Sequence, residues 1–202
     1  MTKQGLIKRT AARDYDVRSK KFAAVNLKKG DGLLAVLPAA TMDDLLMLSR
    51  SGMCIRFALD TVPTQGRASA GVKAMQLDLD DEVIWCGQLG GQQEVILFSE
   101  RGYGKRIPAM DFERQNRNGK GVKSFYFNKN GSNGRYLAGV CLTEREPCDL
   151  IVTQTQSAPT RLSKDEILLR GKQDKGMPYV MAILDDVVTG AMRVPAEETK
   201  EE

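Results

Sequence analysis

The sequence predicts an all-β repeat protein, a propeller-like stack of about four four-stranded units. Three observations carry that expectation. One residue pattern recurs four times at a nearly constant period. A short apolar run precedes three of the four copies, as a buried strand would. A polar, glycine-bearing connection of about 15 residues follows each copy, long for a compact domain and therefore suggestive of function.

Each copy opens on a turn and runs into an arginine, at residues 4–9, 51–56, 101–106 and 157–161. The anchors are Arg9, Arg56, Arg106 and Arg161, spaced 47, 50 and 55 residues apart. Six positions on stands an apolar residue: Tyr15, Val62, Phe112, Ile167. Eleven positions on stands a cation: Lys20, Arg67, Arg117, Lys172. Fifteen on comes a small residue (Ala24, Gly71, Gly121, Gly176) and sixteen on an apolar one (Val25, Val72, Val122, Met177). Self-similarity of this kind marks one supersecondary unit repeated.

Within a unit, the apolar runs 45–48, 95–98 and 150–152 read as strands that form hairpins with the anchor segments. After the connection, 71–77 and 82–86 read as a second hairpin across 78–81, and 123–127 with 136–141 as its equivalent across 128–135. Copy one has only Met1, Thr2 and Lys3 ahead of its turn. Half a hairpin cannot bury its face, so the sequence predicts a repeat cut upstream, with further units preceding it in a parent protein. The units then run 1–40, 41–90, 91–146 and 147–193. Residues 194–202, with four Glu and one Lys and no periodicity, are expected to form a disordered acidic tail.

Composition narrows the function classes. The 202 residues are 42% hydrophobic, enough for a sizeable core. No apolar run reaches membrane-span length and the basic N-terminus lacks an apolar signal region, so a cytoplasmic protein is expected. There is no histidine, which removes Ser-His-Asp and Cys-His catalysis and His-ligated metal sites. Cys54, Cys86, Cys141 and Cys148 lack CxxC spacing and read as reduced structural thiols, with a zinc or disulfide site as the alternative. Neither a phosphate loop nor a G-x-S-x-G elbow is present. No cofactor is expected in this chain.

The net charge is +4, but the fixed repeat positions of the cations matter more. Around a common axis the anchors would form one belt and Lys20, Arg67, Arg117 and Lys172 a second, widened by Lys8 and Lys105. Such a belt is a track for a polyanion, and nucleic acid is the obvious one. Against this, Asp14, Asp60, Asp111 and Asp165 follow the anchors by four or five residues, and local ion pairs would account for much of the pattern.

The heptad Gln115, Asn116, Arg117, Asn118, Gly119, Lys120, Gly121, preceded by Gly102, Tyr103, Gly104, Lys105 and Arg106, resembles the C-terminal domain found in the A subunit of DNA gyrase and in its counterpart from topoisomerase IV. The gyrase box reads Gln-Arg-Arg-Gly-Gly-Lys-Gly, and Gln115, Arg117, Gly119, Lys120 and Gly121 match it. Gly52 to Arg56 with Gly66, Arg67, Gly71 and Val72, and Gly5 to Arg9, fit the same pattern, so the resemblance covers residues 1 to about 193. It implies a β-pinwheel, propeller-like, with blades of about 50 residues that exchange strands. It also implies a basic perimeter that binds and wraps duplex DNA without sequence specificity, in a bacterial, nucleoid-associated, ATP-dependent type II topoisomerase. The cleaving tyrosine and the ATPase would lie outside this chain, the first in the rest of the parent polypeptide and the second in a separate ATPase subunit.

On this resemblance the DNA-binding candidates are Lys8, Arg9, Lys20, Lys21, Arg56, Arg67, Lys105, Arg106, Arg114, Arg117, Lys120, Lys123, Arg161 and Lys172. A full ring in the family has about six blades, so the four seen here would be a partial ring, with the box-like heptad in the penultimate blade rather than the first. The acidic tail resembles family C-termini that compete with DNA. Tyr103, Phe112, Phe125 and Tyr126 read as packing residues rather than base-stacking platforms, which favours duplex over single strands. The alternative is a propeller-type protein-interaction scaffold with no DNA role.

Overall fold

A computed structural model describes residues 1–39 and 43–196. In chain order the strands are β1 (Leu6–Ile7), β2 (Asp44–Ser49), β3 (Met53–Ala58), β4 (Val72–Lys73), β5 (Val83–Leu89), β6 (Glu94–Ser99) and β7 (Tyr103–Pro108). They continue as β8 (Val122–Lys123), β9 (Leu137–Thr143), β10 (Cys148–Gln154), β11 (Thr160–Ser163), β12 (Met177–Pro178) and β13 (Val188–Pro195). The helical turns among the described residues are short 3-10 turns, at Ala12–Tyr15, Leu59–Thr61, Ala109–Asp111 and Lys164–Glu166. Each begins three residues after an anchor arginine, so the repeat register holds in the backbone. Among the described residues no helix is long and apolar enough to cross a membrane.

The strands form a β1-β4 pair, two four-stranded sheets ordered β5-β2-β3-β8 and β12-β7-β6-β9, and a three-stranded sheet β11-β10-β13. The apolar runs become the inner strands. All six residues of β2 are buried, as are five of six in β6. A strand covered on both faces reads as a continuous apolar run rather than an alternation, which is why these segments were legible.

The second hairpin of each repeat is not formed as the sequence suggested. Val72–Lys73 pairs with β1, in register Leu6↔Lys73 and Ile7↔Val72, and not with β5. Likewise β8 lies beside β3, and β12 pairs with β7. The strands β5, β9 and β13 return instead to β2, β6 and β10 of their own repeat. A short strand of each later repeat is thus given to the anchor strand before it, the exchange that the family resemblance implied.

The small residue fifteen positions past the anchor makes this approach feasible. Gly71 has φ +93°, and a Cβ there would lie 2.5 Å from the Ile7 carbonyl oxygen. Gly121, at φ +77°, would drive a Cβ into the Cys54 carbonyl. Both the left-handed backbone and the close approach therefore require glycine. The apolar residue at the next position is not core: Val122 and Met177 stay 39% and 40% exposed, because it opens the exchanged strand. The buried members of the pattern are Val62, Phe112 and Ile167.

The first repeat has its own pairing at its start. Residues 32–35 run beside Met1, Thr2 and Lys3: Lys3 N–H donates to Gly32 O (2.8 Å), Leu34 N–H to Met1 O (3.0 Å), and Thr2 bridges Leu33. At the other end, β13 continues to Pro195, two residues beyond the expected end of the repeats. Residues 197–202 of the acidic tail lie outside the described residues.

The chain divides into two compact units. The first holds Met1–Ser49, Cys54–Leu89 and Glu113–Val122, with Leu46, Met47, Leu48, Ile55, Phe57 and Met75 in its core. The second holds Arg50–Met53, Gly90–Phe112 and the chain from Lys123 on, built around Ile96, Phe98, Leu150, Val152, Ile167 and Val188. The four cysteines are free and buried, and burial pushes the Cys86 and Cys141 thiols up to about 12, so both stay protonated.

A buried carboxylate pins the last hairpin of the second unit. Asp186 accepts from Gln154 Nε2 (2.8 Å), Thr155 Oγ1 (2.9 Å), Gln156 N (3.0 Å) and Ser157 N (3.3 Å). The Ser157 hydroxyl first, then the Gln156 amide and Thr155 hydroxyl, hold its pKa at about 2 against the upward push of burial. A carboxyl lowered on folding stabilises above its unfolded pKa, about 3.9, and the contribution is lost as pH falls through the folded value. Melting temperature should therefore drop as the pH goes from about 4 towards 2, and Asp186→Asn should flatten that part of the profile.

Candidate nucleic-acid interface

Three of the anchor arginines, Arg56, Arg106 and Arg161, belong to the sheets. Arg56 Nε meets Asp44 Oδ2 at 2.7 Å, Arg106 Nη1 meets Glu94 Oε2 at 2.9 Å, and Arg161 Nε meets Asp149 Oδ2 at 2.7 Å. Each acid stands twelve residues before its arginine, at the start of the hairpin's inner strand. That spacing is present in the sequence, but the acids four or five residues after the anchors are the more conspicuous there. Of those, only Asp165 makes an anchor ion pair among the described residues, to Arg106 at 3.5 Å. Arg9 is held by carbonyls, Nε to Val62 O (2.7 Å) and Nη2 to Asp60 O (3.4 Å). The anchors are thus first structural. Arg56 and Arg106 keep only 20% and 14% of their side-chain surface, and the open belt expected from the sequence is largely closed at these positions.

Lys105 is a correction. Its side chain is fully buried, and its ammonium donates to the carbonyls of Gly171 (2.7 Å), Lys172 (2.7 Å) and Asp174 (2.8 Å) while lying 5.1 Å from the Phe125 ring centre. It cannot reach a phosphate, because its donors face a connection loop inside the fold. Lys8 makes the same kind of contact in the first unit, bonding the carbonyls of Ala24 (2.9 Å), Gly66 (3.3 Å) and Arg67, but is only half-buried. Gly66 and Arg67 stand at the same repeat positions as Gly171 and Lys172. Lys164, which the repeat pattern does not mark, is 3% exposed and caged by the carbonyls of Glu144, Arg145 and Glu146.

The heptad is a splice. Gln115 N–H donates to Arg56 O (2.7 Å), Asn118 N–H to Ala74 O (2.8 Å), and Gly119 O accepts from Gln76 N–H (2.9 Å). Asn118 takes φ +70° to do so, and Arg117 Nη1 bonds Lys73 O. The corresponding loops repeat the first bond, Gln65 N–H to Arg9 O (2.8 Å) and Arg170 N–H to Arg106 O (2.9 Å). The amides of Gln115 and Asn118 are therefore already engaged within the fold.

The candidates that face solvent lie on the connections and, for Lys123, on the exchanged strand β8. In the first unit, Lys20 and Lys21 are exposed. Lys120 is exposed too, with only a 3.6 Å contact to the equally exposed Asp78. Arg67 is half-buried, bonded to Ala23 O (2.8 Å) and stacked over Phe22. Arg117 is half-buried as well. In the second unit Lys123 is exposed and Lys172 half-buried.

Arg114 stands apart. Its side chain is 65% exposed, yet Nε and Nη2 both grip Asp44, at 3.1 Å to Oδ2 and 2.7 Å to Oδ1. Burial pushes the Asp44 carboxyl up, but Arg114 and then Arg56 outweigh it and hold it below the ordinary carboxylate range.

The profile of the family described as "DNA gyrase C-terminal domain, beta-propeller" matches residues 1–40, 43–88 and 93–133. The A subunit of Pseudomonas aeruginosa DNA gyrase is 32% identical over 191 residues, covering 94% of this chain and 20% of that protein. Its Kosmotoga olearia equivalent is 33% identical over 192 residues, 93% of this chain and 23% of that protein. The chain thus spans about a fifth of the length of the relatives it matches. Among solved structures, the crystal structure of the C-terminal domain of DNA topoisomerase IV superposes with a TM-score of 0.89 at 20% identity, covering 96% of this chain and 60% of that one. The DNA gyrase A C-terminal domain gives 0.80 at 18% identity, with 96% and 64% covered.

Proposed function

Because this chain belongs to the DNA gyrase C-terminal domain family, a β-propeller-like component of type II topoisomerases, we propose that it binds and wraps duplex DNA without reading its sequence. The wrap would present DNA to a holoenzyme whose cleaving tyrosine lies elsewhere in the parent polypeptide and whose ATPase is a second protein. The reading is supported above all by the exposed cations on and beside the connections: Lys20, Lys21, Lys120 and Lys123 are left on the surface after the anchors and caged lysines are assigned to the fold. Lys8 and Lys105 add to the field as well, since carbonyl dipoles solvate an ammonium without cancelling its charge.

Phosphate contacts of this kind fix a duplex in place and carry no sequence information. They must also offset stiffness, because bending a site of about 20–30 base pairs by 40–90° costs on the order of 1–6 kcal/mol. The test is a mobility shift on duplex DNA over a salt series, followed by ligation of a relaxed plasmid in the presence of the chain. If about six to ten phosphates are neutralised, affinity falls by roughly 10³ to 10⁵ between 50 and 200 mM salt. A shifted linking number supports wrapping. A flat salt response, or no binding at low salt, overturns the reading.

A further inference from the structure

Resting on that reading, we propose that Arg114 is a phosphate-binding fork aimed by Asp44, and that Asp165 closes the matching cluster of the second unit to DNA. The two clusters are built alike but charged oppositely. In the first unit a carboxylate 3% exposed sits between two guanidiniums, Arg56 at 2.7 Å and Arg114 at 2.7 Å. In the second a guanidinium 14% exposed sits between two carboxylates, Glu94 at 2.9 Å and Asp165 at 3.5 Å. The three side chains of the first cluster sum to one formal positive charge, and those of the second to one negative. Asp60 also bears on Arg114, but more weakly than Asp44.

A guanidinium carries five N–H donors in a rigid plane. Arg114 spends its Nε and one Nη2 donor on Asp44, and the rest of the fork lies on a side chain 65% exposed. A carboxylate buried behind such a fork fixes its plane, so a phosphate meets a donor pair that is already oriented. Fork-on-phosphate pairing is bidentate, which a lysine cannot reproduce. Position eight after the anchor is Val17, Thr64, Arg114 and Leu169 in the four repeats, so the feature is peculiar to the third. The acid four positions after the anchor, Asp60 and Asp165 in repeats two and four, is Met110 in the third.

The experiment is duplex affinity and its salt slope for the full chain and three variants, each checked for an unchanged fold by circular dichroism and melting. Arg114→Lys keeps the charge and gives up the paired grip on Asp44, which Arg56 still holds; it should bind about tenfold more weakly with an unchanged salt slope. Asp44→Asn raises the net charge, so simple attraction predicts tighter binding, whereas loss of the aim predicts weaker binding. Asp165→Asn, on a side chain 70% exposed, should tighten binding about two- to fivefold. Wild-type affinity in Arg114→Lys, or tighter binding by folded Asp44→Asn, overturns the fork, while the DNA-binding reading stands as long as the unaltered chain binds. No binding by the unaltered chain at low salt overturns both.

Discussion

Lys105→Ala is expected to destabilise the chain by about 3–5 kcal/mol while leaving the DNA affinity of the folded protein within about twofold of wild type. Three half-buried carbonyls, of Gly171, Lys172 and Asp174, share this one ammonium, and none of the Lys105 side chain reaches water. Truncation removes all three bonds, the contact with Phe125 and the packing of the four-carbon stem. An unsatisfied buried polar group costs about 1–3 kcal/mol, though the loop would recover part of that by turning carbonyls to water. Lys105→Met keeps the volume and removes the desolvated charge, so it should cost less than alanine. Ile55 occupies the equivalent position in the second repeat, where a Cβ on Gly119 would stand 3.6 Å from the Ile55 Cδ1, so an apolar residue is compatible with the splice. Urea titrations give the stability change and mobility shifts the affinity. Unchanged stability with weakened DNA binding would mean that Lys105 acts at the surface after all.

The converse variant should change binding and leave stability alone. Replacing Lys20, Lys21, Arg114, Lys120 and Lys123 together by Gln is expected to weaken duplex binding on the order of a hundredfold or more and to reduce the salt slope by about four. These side chains are exposed, and the one ion pair that Lys20, Lys21, Lys120 and Lys123 make among the described residues is the loose contact of Lys120 with Asp78. Exposed pairs contribute little, so the melting temperature should move by only a few degrees, mostly from the loss of Arg114 at Asp44. Full retention of affinity would remove the connections from the interface.

The two experiments separate what the sequence pattern merged. A cation at a fixed repeat position looks the same in the sequence whether it faces solvent or a carbonyl cage. The period located the repeats, and continuous apolar runs located β2, β6 and β10, because burial on both faces leaves that signature. Partnership was not legible. Val72 and Lys73 have strand-forming character, but nothing in their identity says that they pair with Leu6 and Ile7 rather than with the strand that follows them. The same holds for Lys105, whose three acceptors come from backbone carbonyls, a group every residue carries. The Asp44, Glu94 and Asp149 partners were legible in principle, as acids at constant spacing before an arginine, since hairpin register makes that spacing a cross-strand distance.

The exchanged strands set a timetable for biosynthesis. Leu6 cannot close its edge until Lys73 has been made, and Gly104 waits in the same way for Met177. While the chain is being synthesised, its newest finished repeat therefore always shows an unpaired strand edge, which only the successor covers. A pause within a connection would leave that edge open longest, and a protease cut there would undo the repeat before it as well as the one it belongs to.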